Sequence, residues 1–125
     1  MNDLAHYAVT MLAAGSVFAL TSATALGQDA AQADPKHYKV EFENEQVRVL
    51  RITYGPKEKS VMHEHPDSVA VFLTDGKIKF NLPDGNSKER NLKAGKAIWS
   101  PAQKHLPENL TDKPFEAILV EMKKR

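Results

Sequence analysis

His63 and His65 flank Glu64 in the stretch VMHEHPDSVAVFLTDG, which runs from Val61 to Gly76. Side chains at i and i+2 of a strand share a face, so the two imidazoles project together and Glu64 points away. Imidazoles gathered in that way suit one metal ion, with nitrogens at about 2.0–2.1 Å. The pair taken alone is equally compatible with two polar residues at a solvent-exposed strand end. A second stretch, GKAIWSPAQKHLPENL from Gly95 to Leu110, bears on the choice. It places His105 after a glycine, an apolar run and a proline-led turn, with Asn109 four residues later. A third imidazole on a neighbouring strand would complete a three-histidine face with coordination positions open to water, oxygen or substrate. The sequence contains no Gly-rich phosphate loop, nucleophile elbow or paired-carboxylate arrangement. It has no cysteine, which excludes thiol catalysis, thiolate ligation and disulfides.

The elements that must hold these histidines read as short strands. VRVLRITY (Val47 to Tyr54) alternates, is rich in β-branched residues and stops at Gly55-Pro56. VAVFLT ends at Asp75-Gly76, which suits a two-residue hairpin turn with glycine at positive φ, and KIKFNL follows. Pro83-Asp84-Gly85-Asn86 is a second turn. KERNL leads to Ala94-Gly95 and AIW, and FEAILVEM closes the run with Phe115, Ala117 and Leu119 on one face. No amphipathic helix of useful length appears after residue 36, and strands at 8–12-residue spacing predict an all-β barrel or sandwich. Trp99, Phe72 and Phe80 read as core, Glu64 and Lys104 as solvated, Asn109 as a turn-fixing residue, and the closing EMKKR as a solvated tail.

The 125 residues support one domain. Seventeen basic and sixteen acidic side chains are interspersed, which argues against a nucleic-acid arm or a polybasic membrane patch. Residues 1–27 read as a secretory signal peptide. An apolar stretch from Tyr7 to Leu20 is short for a bilayer span, and Ala25-Leu26-Gly27 offers small residues at −3 and −1 for cleavage before Gln28. The leading region lacks Lys and Arg and carries Asp3, so an uncleaved anchor or a loose arm is the alternative. Residues 28–35, QDAAQADP, read as a polar leader, and residues 36–125 as the folded unit. The expected location is periplasmic or secreted, with no stable membrane partner after cleavage.

The 36–125 unit resembles a small single-domain cupin, a jelly-roll-type β-barrel. Gly55, His63, His65 and Gly76 match that family's first motif, and Gly95, Pro101, His105 and Asn109 match its second. The family's glutamate ligand would fall near the fourth residue after His65, where this chain has Val69 followed by Ala70. Neither binds metal, and Asp67 is poorly placed to substitute. Val69 is expected to face the barrel interior.

The resemblance implies one divalent ion (Fe, Zn, Mn, Ni or Cu) on His63, His65 and His105, with no organic cofactor and no catalytic residue assigned. Without a ligating carboxylate the ion keeps its full charge, which favours a small anionic molecule as partner. Some cupin dioxygenases use three-histidine iron, so the leading expectation is an exported oxygenase-type enzyme acting on a small anionic substrate. The rivals are a non-catalytic periplasmic binding or sensing cupin, and a structural barrel with vestigial histidines. HYKVEFENEQ offers a strand able to extend a neighbour's sheet, so a homodimer is expected.

Overall fold

A computed structural model describes residues 29–124. The expected signal peptide, residues 1–27, lies outside the described residues. Two antiparallel sheets face one another, as expected of an all-β jelly roll. The larger has the order β1-β2-β9-β4-β7, built from β1 (Tyr38–Glu43), β2 (Val47–Tyr54), β9 (Phe115–Met122), β4 (Ser68–Phe72) and β7 (Ala97–Ser100). The smaller has the order β3-β8-β5-β6, from β3 (His63–His65), β8 (Gln103–Asn109), β5 (Gly76–Asn81) and β6 (Ser87–Leu92).

β9 is the central strand because its period-2 pattern is complete: Phe115, Ala117, Leu119 and Glu121 are buried and the residues between them half-buried. It pairs on one side with β2, Leu50 opposite Leu119, and on the other with β4, Ala70 opposite Leu119. The core lies between the sheets and includes Leu50, Tyr54, Phe72, Ile78 and Leu119.

Four expectations are corrected here. Asp75-Gly76 does not close a hairpin, because β4 and β5 belong to different sheets and the chain crosses between them. The backbone N–H groups of Leu73 and Thr74 donate to Glu116 O, and Asp75 Oδ1 accepts from Ala94 N. Gly76 is required for close approach rather than for positive φ: a Cβ there would lie 2.5 Å from the Phe115 ring. The Pro83–Asn86 turn does form between β5 and β6, with Gly85 at φ 90°.

The second correction is the polar leader. Asp29 caps a short helix, α1 (Ala30–Ala33), by accepting from Gln32 N, and Ala30 is fully buried in the core. Asp29 also pairs with Arg48, so the folded unit extends back to at least Asp29. Third, Glu121 is not part of a solvated tail: it is 2 % exposed. Fourth, Trp99 is exposed, because β7 is an edge strand of the larger sheet.

Candidate metal centre

β3 and β8 bring the three imidazoles together. Their antiparallel register sets His63 directly opposite His105, and His65 shares the inner face of β3 with His63. All three are buried, and one ring nitrogen from each lies within 4.8 Å of the others. The rings meet edge to face at centroid separations of 4.8, 4.9 and 5.2 Å, so nitrogens rather than ring faces converge.

Their outer partners differ. His65 Nδ1 donates to Glu121 Oε2 at 2.7 Å. Arg48 Nε donates to Glu121 Oε1 at 2.8 Å, and the same guanidinium pairs with Asp29. Burial opposes the Arg48 charge, but hydrogen bonds to Asp29 and Glu121 outweigh it and hold its pKa above the usual arginine value. His63 Nδ1 donates to Val61 O at 2.8 Å and lies 3.3 Å from Ser60 Oγ, which itself donates to Asp34 Oδ2. With Nδ1–H engaged in this way, Nε2 of each ring carries the free lone pair, the arrangement that orients a ligating histidine. His105 has only ring contacts, including Phe80 stacked at 5.2 Å.

Three buried atoms, His63 Nε2 and both ring nitrogens of His105, have no hydrogen-bond partner among the described residues. Leaving a buried polar atom unpaired costs about 1–3 kcal/mol, so the cluster is expensive unless something binds it. Protonation does not resolve the cost. Burial, reinforced by the neighbouring imidazoles, pushes His63 down to about 4 and His105 down to about 2. Neutral imidazoles with free lone pairs are the form that binds a divalent ion. The residues present therefore fit a metal.

His65 and His105 line a cavity of about 320 Å³ whose walls are mostly apolar, including Ile52, Phe72, Phe80 and Leu119. Tyr38 also lines it, its ring 4.7 Å from His63 and its hydroxyl 2.7 Å from Tyr54 Oη. Burial raises both phenols well above the ordinary tyrosine value.

The expected inward place of Val69 is corrected by one residue. On β4 the buried positions are Ser68, Ala70 and Phe72, and Val69 is half-buried on the other face. Ala70, not Val69, is the residue that lines the cavity. Asp67 is exposed and accepts from Ala102 N, so it braces a loop. Asn109 fixes the turn after β8, donating to Gly55 O and Lys113 O. Glu64 and Lys104 are exposed as expected. Sequence reasoning missed Glu121, Arg48, Asp34, Ser60 and Tyr38. Only Glu121 carried a signal, since the alternation of β9 continued by two residues puts it on the buried face.

Two facing sheets with a cluster of histidines inside define a small β-barrel protein with a candidate metal centre. The sequence profile of the cupin domain matches residues 50–121, and the chain belongs to the cupin family. Among solved structures it is similar to a cupin domain from Bordetella pertussis, with 28 % identity and a TM-score of 0.65, covering 70 % of this chain and 92 % of that one. A conserved double-stranded β-helix protein from Klebsiella pneumoniae is similar at 19 % identity and a TM-score of 0.54, covering 72 % and 87 % of the two chains. Oxalate decarboxylase from Bacillus subtilis, a protein with Mn(II) centres, is similar at 20 % identity and a TM-score of 0.51 over 65 % of this chain and 22 % of its own. No curated relative matches the sequence.

Proposed function

We propose that this chain is an exported cupin that holds one divalent ion on His63, His65 and His105 and acts on a small anionic substrate in an oxygen-consuming reaction. The observation that carries the reading is the set of three buried, unpartnered ring nitrogens beside an apolar cavity. The Bacillus subtilis neighbour supports it in kind, since that protein has Mn(II) centres. When bound, such an ion supplies Lewis-acid polarisation and, if iron, one-electron chemistry with oxygen. The protein's own contribution is distinct. Glu121 and Val61 hold the rings of His65 and His63 in orientation. The walls are mostly apolar, and the Tyr38 and Tyr54 hydroxyls, hydrogen-bonded to each other, remain protonated at the cavity wall. With no ligating carboxylate, the charge left on the ion favours an anionic substrate.

Export rests on the apolar stretch from Tyr7 to Leu20 and the small residues before Gln28. Pairing of two copies is supported by the exposed Val40 and Phe42 on the edge strand β1.

A second reading, ligand binding without turnover, is favoured by one observation. No carboxylate lines the cavity among the described residues, so no acidic side chain is available there as a general base. Oxygen uptake separates the two. Protein loaded with ferrous iron is expected to consume oxygen with at least one member of a panel of thiol carboxylates, β-diketones and enolisable acids. His105→Ala protein serves as the control for free-iron chemistry. Uptake equal to that control for every class, with ligand binding still measurable, selects the binding reading.

A further inference from the structure

β6 carries a feature that neither the fold nor the histidines require. Leu92 is buried on its inner face, and period-2 alternation puts Arg90 and Lys88 on that same face. Register agrees: Arg90 lies opposite Ile78 and Lys88 opposite Phe80, and all four line the cavity. Both cations are exposed, so they stand at the solvent-open end of the cavity, where their charges stay hydrated while they reach its lining. Neither cation makes an ion pair within 4.0 Å among the described residues, whereas Glu89, on the outer face between them, pairs with Lys77 at 3.6 Å. Two exposed cations thus border a cavity that has no acidic residue in its wall among the described residues.

We propose that Lys88 and Arg90 form an anion-binding end of this cavity, and that its ligand is an acid with two polar ends joined by an apolar body. One end would meet the metal centre, so this half of the inference rests on the metal reading above. The other, a carboxylate, would meet the Arg90 guanidinium and the Lys88 ammonium, where charge-assisted hydrogen bonds are strong and Arg matches a carboxylate bidentately. The two ends are linked through one contact series: His105 on β8 stacks on Phe80 of β5, and Phe80 is paired with Lys88 of β6. Two strand spacings separate β8 from β6 by roughly 10 Å at the backbone. Side chains on one face of a sheet stand roughly parallel, so this spacing also sets the separation of the two ends, about the reach of an extended six-carbon diacid with its contacts. Inward charges on an edge strand can also serve only to prevent sheet-to-sheet association, and β6 is an edge strand. That role affects aggregation and is indifferent to ligand chemistry.

Adipate and hexanoate are the probes, having equal chain length and differing by one carboxylate. Trp99, the chain's single tryptophan, borders the cavity, so its emission follows binding. In zinc-loaded protein adipate is expected to bind about tenfold tighter than hexanoate, the difference of one charge-assisted contact pair. Lys88→Gln with Arg90→Gln is expected to bring adipate down to the wild-type hexanoate level, with zinc content by equilibrium dialysis unchanged. Equal affinity for the two acids in the wild-type protein, a preference that survives the double substitution, or binding of neither acid would each overturn the inference. Light scattering that rises in the double variant while the adipate preference persists would assign the cations to edge protection and overturn it too. The metal reading fails separately: an adipate preference that needs Lys88 and Arg90 but is the same without zinc supports the anion site and removes the metal from it.

Discussion

His63→Ala protein is expected to remain folded and to retain no stoichiometric zinc on dialysis, whereas the wild-type chain retains one ion per molecule. His63 is the most enclosed of the three imidazoles, at 0 % exposure, and its Nε2 has no other partner among the described residues. Substitution removes one of three ligands, and among the described residues no carboxylate lines the cavity to replace it. The fold survives because two effects oppose one another. A cavity left by a large buried side chain is destabilising. Removing an unpaired buried nitrogen recovers about 1–3 kcal/mol. The metal's own contribution should vanish with the site. Zinc at a hundredfold excess over its Kd stabilises a protein that binds only when folded by about 2.7 kcal/mol. Calorimetry with and without zinc should therefore show a rise in Tm for the wild-type protein and none for His63→Ala.

Glu121→Ala is expected to have the largest effect on stability, on the order of 3–5 kcal/mol, because it breaks a buried charge pair from one side. Glu121 is 2 % exposed and is shared between His65 Nδ1 and Arg48. Its loss leaves a buried imidazole N–H without an acceptor and Arg48 with Asp29 alone. Zinc affinity should also fall 10–100-fold, the usual cost of removing the partner that orients a ligating histidine. Glu121→Gln retains an amide oxygen that can accept from His65 Nδ1, so it should recover part of the zinc affinity. Urea unfolding of the metal-free proteins and zinc competition titrations read the two effects separately. Unchanged zinc affinity in Glu121→Ala, at whatever stability, would show that His65 is oriented without its carboxylate.

Much of this site is legible in sequence because a strand's side-chain period is two. That period alone puts His63 and His65 on one face, and it marks β2 and β9, whose observed bounds coincide with VRVLRITY and FEAILVEM. Carried two residues beyond Leu119, it also marks Glu121 as buried; the basic residues that follow disguised the position as a tail. Long-range pairing is where local pattern fails. Nothing near Asp75-Gly76 says that Leu73 and Thr74 will bond to Glu116 rather than turn back on β4, so an ordinary hairpin signal misleads. The same holds for Asp34 and Asp29, which look like solvent-facing leader residues until Ser60 and Arg48 are brought to them. Val69 against Ala70 turned on where β4 begins: Ser68 is its first buried residue, and one step of phase moves every side chain to the opposite face.

X-ray absorption at the zinc edge of the zinc-loaded wild-type protein tests the three-histidine centre most directly. Three imidazole nitrogens at about 2.0–2.1 Å, with the multiple-scattering pattern of intact rings, are the expected result. A first shell with one or two imidazoles, or one unchanged in His105→Ala protein, would contradict a centre built by His63, His65 and His105.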